Sequence, residues 1–387
     1  MSSTAPDVKK VFIAKFLQEP HVYFSPGRIN LIGEHVDYND GFVMPAAIDK
    51  GIEYAIALND GEEMNVYSID FDETLSLQIS GIKKMDGWKN YVLGVVNEFQ
   101  LLGLPVKGFN CVFGGNIPIG AGISSSAALE GGVAYGLNDL CNFQLTRKEL
   151  ALLSQRAEHN FPNVKCGIMD QYANMMSKKE QVILLDCMKI THEYLPLHLA
   201  GYEIVLINSK VHHSLASSEY NRRRKECEEG MTIMKEEMNI HSFRDIPKGE
   251  DLLAFKDKMG DEVYRRCLYV VEEIQRTKAA AGLLKENNIV AFGKLMFETH
   301  SGLSKLYEVS CRELDYLVER ASKNSDVLGA RLMGGGFGGF TINIIKEAGI
   351  KKFLSETLSA YKKEFNIDPD VYEVNVVDGT HEVSGEW

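Results

Sequence analysis

The chain lacks the marks of several large protein classes. Positive charge is not in surplus: 42 Lys and Arg against 54 Asp and Glu leave a formal charge of -12. That argues against nucleic acid as the main partner, while leaving room for a local basic pocket around a phosphorylated ligand. No apolar stretch approaches the about 18 residues of a membrane span, and the opening Met-Ser-Ser-Thr-Ala-Pro-Asp-Val-Lys-Lys has no apolar centre of a secretion signal. The seven cysteines (Cys111, Cys141, Cys166, Cys187, Cys227, Cys267 and Cys311) are odd in number, scattered, and include no Cys-x-x-Cys pair. A disulfide framework and a zinc site are both excluded, and reduced thiols in a cytoplasmic protein are expected. There is no internal repeat or low-complexity tract. What remains is an ordinary globular composition, 45% hydrophobic and 25% charged, over 387 residues, enough for two or three domains with ample core.

Two common phosphate loops are missing as well. A Walker loop places Lys before Ser or Thr, and no Lys lies between Gly114 and Glu130. A dinucleotide fingerprint needs a third Gly where Ser125 stands. The stretch reads instead Gly114-Gly-Asn-Ile-Pro-Ile-Gly120-Ala121-Gly122-Ile123-Ser124-Ser125-Ser126-Ala-Ala-Leu-Glu130. Residues 108–113 before it alternate like a half-buried strand, and 127–140 after it form a small-residue and leucine run suited to a closely packed helix. A helix start carries unpaired N–H groups and the positive end of the helix dipole, so it suits an anion. Glycines let the backbone approach that anion, and serines add donors and can offer oxygen to a magnesium ion. A Ser-capped helix is the plainer reading; three serines between Gly-Ala-Gly and Ala-Ala favour a bound phosphate.

Ahead of this loop, residues 1–7 read as loose, and 8–18 have amphipathic helical spacing with Val11, Phe12, Ala14 and Leu17 on one side. In Gly27-Arg28-Ile-Asn-Leu-Ile-Gly33-Glu34-His35-Val-Asp37-Tyr38, Ile29, Leu31 and Ile32 are marked for burial, while Arg28, Glu34, His35 and Asp37 crowd between glycines. Ionisable groups at that density need partners or a polar ligand. Strands are expected over 51–58, 63–69 and 75–79. Trp88 opens a helix that ends near Leu104, and a Trp there is either core or the border of a base site. Thr146-Arg-Lys-Glu149 is a capping box for a helix running through Glu158. Past Phe161-Pro-Asn163, the segment Cys166-Gly167-Ile-Met-Asp170-Gln171-Tyr172 starts another helix. Asp170 then sits near a helix N-terminus, which lowers a carboxyl pKa and aims it into a cleft. Alone it could be a helix-end charge; beside the other features it is the candidate reacting group.

In the second half, 182–186 and 203–208 read as buried strands, and the connector-like 194–201 suggests a domain change. His212 and His213 are adjacent and therefore point in different directions, which excludes a metal pair. Arg222-Arg223-Arg224-Lys225 precedes Glu226, Glu228 and Glu229, as a salt-bridged helix face would. Helical periodicity dominates 250–325. Gly334-Gly335-Gly336-Phe337-Gly338-Gly339 matches Gly-x-Gly-x-x-Gly, but Phe340-Thr-Ile-Asn-Ile-Ile continues as a strand where the dinucleotide motif needs a helix. Glycines this dense suit a tight loop against another backbone or a ligand. A last strand is expected over 371–377.

Taken together, these segments resemble the galactokinase family, within the GHMP group of small-molecule kinases. The three motifs of the group occur in order: Gly27 to Tyr38, the loop from Pro118 to Glu130, and Gly334 to Gly339. Cys166-Gly167-Ile-Met-Asp170-Gln171 and Ser214-Leu-Ala-Ser-Ser-Glu-Tyr220 add to the resemblance, which spans roughly 20–380. It implies an α+β, two-lobed GHMP kinase fold, with a ribosomal-protein-like N-terminal lobe over 1–195, a ferredoxin-like C-terminal lobe over 196–387, and the active site between them. It implies transfer of a phosphoryl group from MgATP to the C1 hydroxyl of galactose, with no nucleic acid, membrane or obligate protein partner. Position by position, Glu34, His35 and Asp37 would hold sugar hydroxyls with Gly167 and Tyr220. Asp170 would face the C1 hydroxyl, with Arg28 beside it and beside the phosphoryl group. Gly120, Ala121, Gly122, Ile123, Ser124, Ser125 and Ser126 would cradle the ATP phosphates, Ser126 and Glu158 would contact magnesium, and Trp88 would border the adenine. The chain departs from the family pattern at Met188, where Arg is frequent, and at Leu332-Met333, where Thr is common; neither falls on these roles. Tyr38-Asn39-Asp40-Gly41 favours galactose over N-acetylgalactosamine. The rivals are a GHMP kinase for another sugar or a small alcohol such as mevalonate or homoserine, and a non-catalytic sugar sensor. The intact serine loop and Asp170 favour an enzyme.

Overall fold

The computed structural model describes residues 7–117, 122–211 and 216–383, the side chains of 216 and 217 excepted. Alternation along the strand Pro45–Leu58 sets the first layer: Ala46, Ile48, Tyr54 and Ile56 enter the main core, while Ala55 and Ala57 meet the helix Val8–Phe16 on the opposite face. This strand lies inside a six-stranded sheet ordered His381–Glu382, His21–Asn30, Pro45–Leu58, Phe109–Gly115, Glu63–Ser68, Glu73–Gln78. All neighbours are antiparallel except Phe109–Gly115 with Glu63–Ser68, which are parallel. The helices Ser125–Leu140 and Met169–Met176 lie on its inner face, with Lys89–Leu101 and Arg147–Asn160 packed behind them. The capping box at Thr146 is formed as the sequence predicts.

A second sheet, ordered Val327–Met333, Phe340–Lys346, Tyr202–Asn208, Asp370–Val374, is antiparallel throughout. One face (Val205, Ile207, Ala330, Ile345) is covered by the helices Arg312–Ser322 and Ile350–Phe365. The other face (Ile204, Leu206, Ile342, Ile344) joins the core of the first half, so both sheets help bury the same interior. A small sheet of Phe42–Val43, Gln181–Asp186 and Thr191–Pro196 completes the α+β arrangement, and the predicted boundary at 195/196 falls at the end of its last strand. The strand His381–Glu382 returns to pair with His21–Asn30, so these two residues belong to the first sheet.

Two local expectations differ from the structure. The first helix ends at Phe16; Leu17 turns left-handed (φ 53°) as its C-cap and is 89% exposed, and Ala14 is exposed too. Burial falls on Val8 and Phe12, because a nine-residue helix lying on small alanines has room for only a narrow contact stripe. On the helix Ala216–Lys235, Arg222 pairs with Glu226 and Arg224 with Glu228 as expected. Arg223 instead turns inward, 5% exposed, and donates to the carbonyl of Tyr307 at 2.7 Å.

Candidate active site

The site begins where the first motif meets the serine loop. The strand His21–Asn30 shifts register between Pro26 and Arg28. There the Arg28 backbone N–H donates to the Ile123 carbonyl at 3.1 Å. A Cβ at Gly27 would stand 2.7 Å from that same carbonyl, so no larger residue fits without displacing the loop. The Arg28 side chain, 4% exposed, donates from Nε to Asp170 Oδ1 at 2.8 Å, from Nη2 to Asp170 Oδ2 at 3.1 Å, and from Nη1 to the Gly122 carbonyl at 2.7 Å. Ser124 Oγ donates to Asp170 Oδ2 as well. Asp170 occupies the first turn of Met169–Met176, as predicted. A two-pronged guanidinium and a hydroxyl therefore fix the plane of one carboxylate.

The crowded ionisable groups of the first motif come together around that carboxylate. Arg28, Glu34, His35, Asp37, Asp170 and Tyr220 line one cavity of about 350 Å³, which Glu158, Gly167, Gly334 and Gly335 also bound. A Cβ at Gly167 would lie 1.9 Å from Asp37 Oδ2, so the glycine is what admits the Asp37 carboxyl. Burial, then the charges of Asp170 and Glu34, push the Asp37 carboxyl up to about 7. His35 has a left-handed backbone (φ 61°), and its Nδ1 lies 2.7 Å from the Tyr38 hydroxyl, itself 3.0 Å from the Tyr307 hydroxyl. Burial lowers its pKa to about 4, so the imidazole is neutral near pH 7. Its Nε2 is shut off from solvent and makes no hydrogen bond of good geometry among the described residues. The Tyr220 ring packs 5.4 Å from His35 and 5.3 Å from Tyr38.

Asp37 gives a testable link between stability and pH. Its folded pKa, about 7, lies above the usual Asp value of about 4, so the folded state binds the proton more tightly and stability falls as pH rises between those values. Asp37→Asn removes that penalty. Thermal melts of the ligand-free protein should put the variant above the parent at about pH 8 and level with it by about pH 4. An unchanged difference across that range would show that Asp37 titrates normally.

A second cavity, of about 490 Å³, meets the first at Pro162 and Val164 and is lined by Ser125, Ser126, Trp88 and Phe113. The helix Ser125–Leu140 receives no side-chain cap: Ser124 is left-handed (φ 62°) and its hydroxyl is directed to Asp170. The predicted loop positions Gly120 and Ala121 lie outside the described residues. Gly122 (φ 87°) and the buried Ile123 are seen, and a Cβ at Gly334 would stand 3.0 Å from the Gly122 carbonyl, so the third motif backs the serine loop. Trp88 is both core and wall. It is 7% exposed, edge-on to Phe113 at 5.1 Å, and donates from Nε1 to Glu73 at 3.2 Å.

Between the cavities lies a reserve of acidic oxygen. Glu158, 5% exposed, has its carboxyl pushed up to about 7 by burial and by the Asp170 charge, with a Ser126 hydrogen bond opposing. Gln171 Nε2 joins Glu158 Oε2 (2.5 Å) to Glu130 Oε2 (3.2 Å). Glu130 is fully buried, its pKa raised by burial and by Glu158, and its Oε1 has no partner among the described residues. Among the described residues no Lys or Arg bonds to either carboxylate, and such hard, charge-rich oxygens suit a divalent cation.

Several residues of the site carry no local signal. Arg331, fully buried, binds Glu34 Oε2 at 2.9 Å. The Tyr269 hydroxyl donates to the Glu34 carbonyl at 2.9 Å, and Glu273 Oε1 accepts from the Gly33 N–H at 2.8 Å. The one available hint was an Arg inside the apolar run Ala330-Arg331-Leu332-Met333, just before the glycines.

Family models match three parts of the chain: the galactokinase galactose-binding signature at residues 10–58, the GHMP kinase N-terminal domain at 90–178 and the GHMP kinase C-terminal domain at 280–363. The galactokinase of Thermotoga maritima is 40% identical over 359 residues, 93% of this chain and 99% of the relative. That of Clostridium perfringens is 39% identical over 383 residues, 97% of this chain and 99% of the relative. Among solved structures, Lactococcus lactis galactokinase complexed with galactose matches with a TM-score of 0.93 at 34% identity, covering 97% of this chain and 98% of that one. Methanococcus jannaschii mevalonate kinase shares the fold alone, with a TM-score of 0.64 at 20% identity over 93% of this chain and 99% of that one. With near-complete coverage at this identity, the chain belongs to the galactokinase family of GHMP kinases.

Proposed function

We propose that the chain transfers the γ-phosphoryl group of ATP to the C1 hydroxyl of galactose, giving galactose 1-phosphate and ADP. The observation that carries this reading is the Arg28 junction. One guanidinium holds Asp170 in the polar cavity and the Gly122 carbonyl on the loop that leads to Ser125 and Ser126 in the second cavity. Glu34, His35, Asp37, Gly167 and Tyr220 would hold the sugar. Residues 120–126 and the helix start would hold the phosphates through main-chain N–H groups, with Trp88 at the base. Phosphoryl transfer is mainly positioning and charge stabilisation, because its transition state is loose. Asp170 takes the C1 proton as the new O–P bond forms and the bond to the leaving ADP oxygen breaks. Arg28 orients Asp170 and lends positive charge to the transferring group.

Ser126 and Glu158 would hold magnesium, which fits their oxygen donors and the unbalanced acid behind them; bound there, the ion neutralises charge on the ATP phosphates. Glu158→Gln should raise the Mg²⁺ concentration for half-maximal rate about tenfold or more while the galactose KM stays near the parent value. An unchanged Mg²⁺ requirement would remove Glu158 from the metal site. We place the site between lobes 1–195 and 196–387 of a cytoplasmic enzyme, for which seven free cysteines are suited. ADP release measured with galactose, glucose and N-acetylgalactosamine tests the whole reading: galactose should turn over fastest, and a preference for either other sugar would overturn it.

A further inference from the structure

A cation in the C-terminal half is bonded almost wholly to the first motif. Arg331, on the strand Val327–Met333, donates from Nε to the Leu31 carbonyl at 2.9 Å, from Nη2 to the Asn30 carbonyl, and from Nη1 to Glu34 Oε2 at 2.9 Å. Its one acceptor on its own strand is the Leu332 carbonyl. The Gly334 N–H donates to the same Glu34 Oε2 at 3.0 Å. The two Glu34 oxygens are therefore unequal. Oε2 has two donors, Oε1 has none among the described residues, and Glu34 lines the cavity that contains Asp170. Burial alone would raise the Glu34 carboxyl, but Arg331, then Arg28, more than offset it, and the group is held below its ordinary value. A planar guanidinium with donors on two sides can fix both the loop backbone and the carboxylate plane, which an ammonium cannot.

We infer that Arg331 is a positioning residue for sugar recognition: from the C-terminal sheet it holds Glu34 Oε2 so that Oε1 faces the cavity and accepts one substrate hydroxyl. The inference rests on the reading of Glu34 as a sugar ligand. A merely structural ion pair would stabilise the fold without favouring any one hydroxyl of the substrate. A positioning residue should act only on the hydroxyl that Oε1 meets.

The experiment compares Glu34→Gln, Arg331→Lys and the double variant Glu34→Gln/Arg331→Met, using galactose, each singly deoxygenated galactose, and ATP. Glu34→Gln and Arg331→Lys should each raise the galactose KM about tenfold or more, the weight of a hydrogen bond to a charged group, with the ATP KM within about twofold of the parent. The same deoxy sugar should be insensitive to both changes. The double variant leaves no buried charge unpaired, which spares it the largest cost of breaking the pair if Arg331→Lys does not fold, and its galactose KM should match that of Glu34→Gln alone. If Glu34→Gln leaves the galactose KM unchanged, the sugar-ligand reading of Glu34 is wrong. If that variant has its effect but Arg331→Lys folds and binds galactose normally, or raises both KM values alike, the positioning role is wrong. A double variant clearly worse than Glu34→Gln would overturn it as well.

Discussion

Asp170→Asn should lower kcat about a thousandfold or more, the scale of losing a positioned proton acceptor, while galactose binding by calorimetry stays within about tenfold of the parent. The expectation comes from the shell around the carboxylate. Among the described residues every neighbour bonded to Asp170 is a donor: Arg28 Nε, Arg28 Nη2 and Ser124 Oγ. An amide keeps the shape but offers one oxygen, and its NH₂ must face one of those donors. The substitution removes the acceptor for the C1 proton and misaligns what is left. Asp170 is partly exposed, its side chain 26% accessible, so the loss of stability should be about 1–2 kcal/mol, less than breaking a fully buried pair costs. If turnover stayed within about tenfold of the parent, Asp170 would be an anchor for Arg28 and no proton acceptor.

What could be read from the sequence follows from how locally each feature is determined. The capping box at Thr146 involves residues three apart, and the structure forms it. The dense glycines after Met333 imply a tight loop. Gly334, Gly336, Gly338 and Gly339 all have positive φ, and Phe340–Lys346 follows as a strand, as the apolar alternation requires. The candidate residues of the first motif share one cavity with Asp170 and Tyr220, because a fold can bury that many ionisable groups only by bringing them together around polar partners. Local rules misdirect where a distant partner competes. A serine before a helix is normally its cap, yet Ser124 turns to Asp170, 46 positions on. Arg223 lies in a charged run that suggests a solvated face, but it is drawn inward by carbonyls at Tyr307 and Glu308. Arg331 is the clearest case, since its acceptors at Asn30, Leu31 and Glu34 lie about three hundred residues away in sequence. Spacing along a chain shows which faces are apolar; it does not show which strand brings a cation to which loop.

The second large effect is expected at Arg28, and it separates orientation from charge. The guanidinium bonds both Asp170 oxygens and the Gly122 carbonyl. Lysine keeps the charge but not the fork, so Arg28→Lys should lower kcat about a hundredfold with the galactose KM within about threefold. Arg28→Met loses the charge too. Asp170 would then stand near Asp37, whose carboxyl its charge already pushes up, and both of its bonds to a cation would be gone. Arg28→Met should therefore fall about a further tenfold or more below Arg28→Lys in kcat, again with the galactose KM within about threefold of the parent. Steady-state rates of the three proteins decide the matter. Equal kcat in the two variants would mean that the fork on Asp170 carries the whole effect and the positive charge none of it. A galactose KM that rises while kcat stays near the parent value would make Arg28 a binding residue instead.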